Sequence, residues 1–369
     1  MKNKLQSYFP MIRTRQEIYQ EIQATPSLKS QFDALKASRQ QEFLDFCSGA
    51  KGVRILYDSF FKAVMDPERD SSRLSDFLSL ILGRKVSVVS ILPHEGGQIT
   101  PGTLLIMDII VKLEDGSITT VEVQRYGYAF PGQRAACYSA DMLLRQYKQK
   151  RDQASADGNP MNYRSMRPVY TIVLYEFSPS VFKNYPEHYL HRFHQTSDTG
   201  LELDLLEEYI FVPLDILKEI LQNKGIRNQL EAWLAFFCMD EPEWILKISE
   251  NYPQFREMYA EIYEMCRNLE GVMQMYSKEL QELDRNTVNY MIDEMQDKIN
   301  RQGTVIEEQA GTINQMANEM SQKDDLINQQ ATQLGEKDDL INQQVTQLGE
   351  KDSIIVELKR QLQELKKQP

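Results

Sequence analysis

The sequence predicts an α/β protein whose globular part combines strands and helices and is followed by a long C-terminal coiled coil. Three stretches carry that reading. DIIVKLEDGSITTVEVQ at 108–124 sets two β-branched runs around a Glu-Asp-Gly break, a hairpin signal. VYTIVLYEF at 169–177 is almost wholly β-branched, apolar or aromatic and belongs inside a sheet. From Ile292 to Leu362 an apolar residue recurs at every seventh position, as the seam of a coiled coil requires.

In chain order, residues 11–49 read as helical, interrupted at Pro26 and Ser27, with one second helix running through Phe32, Leu35, Phe43 and Phe46 and ending at Gly49 and Gly52. Residues 53–82 give a short helix, an Asp66-Pro67 break and an amphipathic helix carrying Leu74, Phe77, Leu78, Leu80, Ile81 and Leu82. Val86 to Leu92 reads as a buried strand. With the hairpin this makes three strands before the next helix, an order unlike repeated βαβ units.

The hairpin fixes a candidate site by parity. A three-residue loop of Glu114, Asp115 and Gly116, with Gly116 in the left-handed position, pairs residues whose numbers sum to 230. Asp108 then lies opposite Glu122, and Gln124 shares their face, while Ile109, Val111, Leu113, Val121 and Val123 form an apolar opposite face. A two-residue turn would send Glu122 to the other side. Two carboxylates at cross-strand distance repel as anions, and either a raised pKa or a bound divalent cation relieves this, against the plainer reading in which Asp108 merely starts a strand and Glu122 ends one in solvent. The cation is the favoured reading. Oxygen ligands suit Mg²⁺ or Mn²⁺.

A helix is expected from about Gly132 to Gln149, on which Arg134, Tyr138, Asp141, Arg145 and Lys148 share one face. Arg134 and Tyr138 are candidates to approach the carboxylates, and Arg145 and Lys148 to hold a phosphate backbone, against the plainer reading of a solvated helix side. His188, His191 and His194, spaced by three, diverge on a helix and read as packing or surface residues rather than metal ligands. Leu201 to Glu282 reads as helical and acidic, with its aromatic and Met positions forming core.

A net charge of −12 excludes wholesale coating of nucleic acid and leaves room for a local basic groove. Cys47, Cys137, Cys238 and Cys266 are scattered without a C-x-x-C pair, as expected of reduced thiols. With no apolar run of signal-peptide or membrane-spanning length, a cytoplasmic protein without a membrane partner is expected.

Tyr57–Pro67 (YDSFFKAVMDP), Leu105–Gln124 (LIMDIIVKLEDGSITTVEVQ), Gly127–Tyr147 (GYAFPGQRAACYSADMLLRQY), Val169–Pro179 and Tyr209–Ile216 (YIFVPLDI) resemble the PD-(D/E)XK nuclease family transposases, relatives of the Rpn-type recombination-promoting nucleases. The similarity runs from about Phe9 to about Gln296. It implies a restriction-endonuclease-like mixed sheet flanked by helices and a divalent-metal-dependent DNA endonuclease serving recombination, transposition or defence. Asp108 and Glu122 take the places of the metal-binding carboxylates. Gln124 stands where the superfamily usually has lysine, so it cannot supply a positive charge, and Met107 replaces the motif proline. The implied layout is a helical segment at 1–52, a nuclease-like core at 53–220, an acidic helical region at 221–284 and the coiled coil at 285–369. A catalytically decayed core acting as a DNA-binding module, or a coiled-coil scaffold, are the rival functions.

The seam residues of the tail are apolar throughout, but Gln296, Gly303, Asp324 and Asp338 weaken the companion positions, so homo-oligomerisation of modest strength is expected. KDDLINQQATQLGE at 323–336 recurs almost unchanged at 337–350.

Overall fold

The structure is a computed structural model that describes residues 3–92, 109–127 and 130–365. It divides into two units, Met1–Glu294 and Met295–Pro369. Four short helices open the first unit: α1 (Lys4–Tyr8), α2 (Arg15–Ala24), α3 (Pro26–Ala34) and α4 (Ala37–Cys47). Thr14 and Glu17 form a capping box that starts α2. The single helix expected through Phe32 and Phe46 is two helices. Leu35 is extended, and the Gln40 side chain donates to the carbonyls of Phe32 and Leu35, satisfying the end of α3 so that the chain can turn there.

α5 (Asp58–Val64) and α6 (Pro67–Leu82) follow as expected, with Asp66 capping α6 and Pro67 in its first turn. Leu74, Phe77, Leu78 and Ile81 of α6 are buried, at helical spacing. The strands are β1 (Val88–Ile91), β2 (Ile109–Leu113), β3 (Ile118–Tyr126), β4 (Val169–Phe177), β5 (His191–His194) and β6 (Glu207–Pro213). They form one sheet in the order β1-β2-β3-β4-β6-β5, with β3, β4 and β6 parallel and the other pairings antiparallel. The sheet is therefore mixed.

Two expectations about strands are corrected. β1 is an edge strand among the described residues, where only one side of it has a neighbour, and Val89 is 65% exposed. The stretch from Leu201 is not helical throughout, since its apolar run Tyr209–Val212 completes the sheet beside β4 as β6. His191 and His194 lie on edge strand β5, three residues apart and so on opposite faces, rather than on a helix. Among the described residues no group of three His, Cys, Asp or Glu side chains could by itself hold a metal ion.

The sheet has two different faces. Ile109, Val111, Leu113, Val121, Ile172, Leu174, Ile210 and Val212 join the main core with α1–α6 and with α9 (Gln229–Cys238), α10 (Pro242–Asn251), α11 (Pro253–Met265) and the start of α12 (Leu269–Leu365). The other face is covered by α7 (Pro131–Ala156), by the 3₁₀ turn Ser180–Asn184 and by Ile216 and Ile220 of α8 (Leu214–Lys224). α7 runs past the expected end at Gln149, because nothing in KQKRDQASA breaks a helix before Gly158, which has φ +69°. Cys47, Cys238 and Cys266 are buried free thiols and Cys137 is an exposed one. Among the described residues no helix is long and apolar enough to cross a membrane.

The second unit is the continuation of α12. Ile299, Ile306, Ile313, Met320, Ile327, Leu334, Ile341, Leu348, Ile355 and Leu362 each expose between 45% and 66% of their surface. The apolar stripe is thus exposed along this helix.

Candidate active site

The hairpin has the predicted register. Ile109 pairs with Val121, Ile110 with Thr120, Val111 with Thr119 and Lys112 with Ile118, all summing to 230. Gly116 has φ +83°, which permits the three-residue loop, and Asp115 closes it by accepting from the Ser117 backbone N–H at 2.9 Å. This register turns Glu122 and Gln124 away from the main core and toward α7. Glycine is required at Gly127, where a Cβ would lie 2.1 Å from Pro179 Cδ, so the end of β3 closes tightly on the chain leaving β4.

Glu122 is 5% exposed and Gln124 is 6% exposed. Three donors converge on one oxygen of Glu122: Gln124 Nε2 at 2.8 Å, Tyr138 Oη at 3.0 Å and Arg134 Nη2 at 3.4 Å from Oε1. The other oxygen, Oε2, is buried with no hydrogen-bond partner among the described residues, and so is Gln124 Oε1. Arg134 and Tyr138 are four apart on α7, so both reach the sheet from one helix face, with the guanidinium 5.2 Å from the Tyr138 ring centre. Burial pushes the Glu122 carboxyl above its usual range. The Arg134 charge and the hydrogen bonds from Gln124 and Tyr138 pull it down without offsetting that penalty.

The rest of the predicted helix face is divided. Asp141 is buried and accepts from Arg145 Nε at 2.9 Å, while Lys148 is exposed. At 1.5 Å per residue Arg145 and Lys148 lie about 16 and 21 Å along α7 from Arg134. A solvated-face reading does not describe this stripe, because Tyr138 and Asp141 are buried against the protein. Asp108 lies outside the described residues. The sequence reading passed over Tyr175, which is opposite Gln124 on β4 and is pushed to higher pKa by burial and by the neighbouring Glu122 charge. Strand parity was the available signal for it.

A family described as PD-(D/E)XK nuclease family transposase matches residues 55–292, the greater part of the chain. The chain belongs to this family. No curated protein and no solved structure matches it. The matched span includes all six described strands, α7 and every candidate site residue from Asp108 to Lys148.

Nucleases of the PD-(D/E)XK family generally use divalent metals, and the donor set here suits such an ion. Mg²⁺ takes one or two carboxylates and fills its remaining positions with water and phosphate oxygens, so a cage of three acidic side chains is not needed. Glu122 Oε2 and Gln124 Oε1 are hard oxygen atoms, both buried and both without a donor among the described residues. A buried acceptor left in that condition costs about 1–3 kcal/mol unless something else engages it.

Proposed function

We propose that this chain hydrolyses phosphodiester bonds of DNA in a reaction that depends on Mg²⁺ or Mn²⁺, with Asp108 and Glu122 as the carboxylate ligands. The observation that carries the reading is the uneven donation to Glu122, with three donors on Oε1 and none on Oε2 among the described residues. Gln124 and Tyr138 fix the carboxylate's rotation, so Oε2 keeps one direction. The cation would lower the pKa of attacking water and stabilise charge on the phosphoryl oxygens.

Arg134 is the one cation in contact with Glu122 among the described residues, and its side chain is 32% exposed. That partial exposure lets the same guanidinium hold Glu122 and meet a phosphate at the site's edge. Arg145 and Lys148 extend the positive character along α7 and serve the flanking backbone, a contact that needs no sequence preference. Gln124, in the usual lysine position, orients water or phosphate without adding charge. A neutral group there favours the decayed-nuclease reading as the alternative, with DNA bound and not cut. The free thiols support a cytoplasmic setting.

The exposed stripe of the tail supports homo-oligomerisation, with a second copy of this chain as its partner. The near-identical 14-residue repeats allow pairing in more than one register. Sedimentation at tens of micromolar is expected to give a dimer or larger for the full chain and a smaller folded species after deletion of 285–369. A monomeric full chain would contradict it.

Nicking of supercoiled plasmid tests the catalytic reading. Wild-type protein should nick with Mg²⁺ or Mn²⁺, Asp108→Ala and Glu122→Gln should lose on the order of 100-fold or more, and Gln124→Lys should keep or raise the rate. Failure of both wild type and Gln124→Lys to cut, with DNA binding intact, would move the function to the decayed-nuclease reading.

A further inference from the structure

Beside the carboxylate site lies a cavity of about 560 Å³, within the usual range for small-molecule and cofactor sites. Its walls include Phe182, Tyr185, His191, Phe193 and Phe211, closed on one side by Gly132 and Ala136 of α7. Strand register places it in line with Glu122. Glu122 pairs with Val173, Val173 with Phe211 and Phe211 with His191, so all four share one face in a row across the sheet. At about 4.8 Å per strand, Phe211 is roughly 10 Å and His191 roughly 14 Å from Glu122. Tyr175 bridges the two regions, its ring stacked on Phe211 at 6.2 Å and 18°.

Three features describe what the cavity would take. Its wall is aromatic, and Phe193 and Tyr185 remain 50% and 54% exposed, leaving ring faces available. Within that apolar wall His191 Nε2 is buried with no partner among the described residues, so a planar occupant with a polar edge would satisfy it. Lys183, in the same 3₁₀ turn as the wall residue Phe182, is exposed and has no carboxylate partner among the described residues, which suits an occupant attached to phosphate. Apolar rings, one edge acceptor or donor, and a cation on the adjoining turn fit a nucleobase on its backbone better than a lipid or a peptide helix, neither of which needs all three.

We propose that this cavity binds a base of the DNA strand flanking the scissile phosphate, stacked on Phe193 and Tyr185 and edge-bonded by His191. The proposal rests on the nuclease reading and adds a subsite to it. It implies that the strand is locally unpaired where it crosses the cavity, because a base in a duplex presents no free ring face.

The test uses the full chain with Ca²⁺ replacing Mg²⁺, and oligonucleotides carrying 2-aminopurine at successive positions around the mapped nick. Quenching should appear at one flanking position with wild type. Phe193→Ala and Tyr185→Ala should abolish it and weaken binding on the order of tenfold each, and Phe193→Trp should retain both. Phe193 is half-exposed on an edge strand and Tyr185 lies outside the sheet, so folding is not at stake in both variants. If wild type binds and nicks DNA but no position is quenched, or both alanine variants bind as tightly as wild type, the subsite is overturned and the nuclease reading stands. If wild type neither binds nor nicks DNA, both fall.

Discussion

Two carboxylates on opposite sides of the same sheet, Glu42 and Glu122, receive similar numbers of donors in different distributions. On the main-core side, Glu42 of α4 has donors on both oxygens: Tyr57 Oη at 2.6 Å on Oε1, and Tyr276 Oη at 2.7 Å and Arg39 Nη1 at 2.6 Å on Oε2. Arg54 stands 3.6 Å from Oε1 and reaches Glu176 at the same distance. Burial works against the Glu42 carboxylate, but the Tyr57, Tyr276 and Arg39 hydrogen bonds outweigh it and hold the pKa below the usual value. Glu122 has as many donors, all on one oxygen among the described residues, and its pKa is raised. Donor number is similar; among the described residues only Glu42 is met on both oxygens.

The largest effect expected on stability follows from this difference. Glu42→Gln keeps the volume but turns two acceptor oxygens into one acceptor and one donor, which faces donors already in place. It should cost on the order of 2 kcal/mol at pH 7, a fall of about 4–8 °C in melting temperature by calorimetry. Its pH dependence has a definite sign. A depressed folded-state pKa gives stability that is full above the unfolded carboxylate range and is lost as pH falls through the folded value. A Glu42→Gln protein as stable as wild type at pH 7 would show that the three donors contribute nothing by meeting a charged carboxylate.

A smaller effect of opposite sign is expected at Glu122. Because its folded pKa is raised, the folded state holds the proton more tightly, and stability falls as pH rises from the unfolded value, about 4.3, through the folded one. Without divalent cation Glu122→Gln should therefore melt above wild type at pH 7–8, and the gap should close as pH falls through the unfolded carboxylate range. A Glu122→Gln protein less stable than wild type in EDTA would show that Oε2 is already engaged within the folded chain.

The legible and illegible parts of this molecule divide along the same physical line. Hairpin parity, the turn of Glu122 and Gln124 to one face, and the approach of Arg134 and Tyr138 from one side of α7 are local properties, set by a Gly at φ > 0, a period of two and a spacing of four. The Glu42 cluster joins Tyr276 to Glu42 across 234 positions, and no local pattern announces it. Burial of β1 and the course of β5 and β6 were missed or misread because short apolar runs do not say whether a strand is central or at an edge, or whether it is a strand at all. Which oxygen of Glu122 receives the donors depends on side-chain rotation, which sequence spacing does not encode.

Whether Glu122 Oε2 is held open for a divalent cation is read by thermal melting with added Mn²⁺. An ion that binds only the folded chain raises the melting temperature as its concentration exceeds the dissociation constant, by about 2.7 kcal/mol of stability at a hundredfold excess. Wild type should gain several degrees between EDTA and millimolar Mn²⁺ at pH 7.5, reversing its deficit against Glu122→Gln, whose own melting temperature should stay unchanged. Equal Mn²⁺ stabilisation of wild type and Glu122→Gln, or none in either, would show that Oε2 is not held open for the ion.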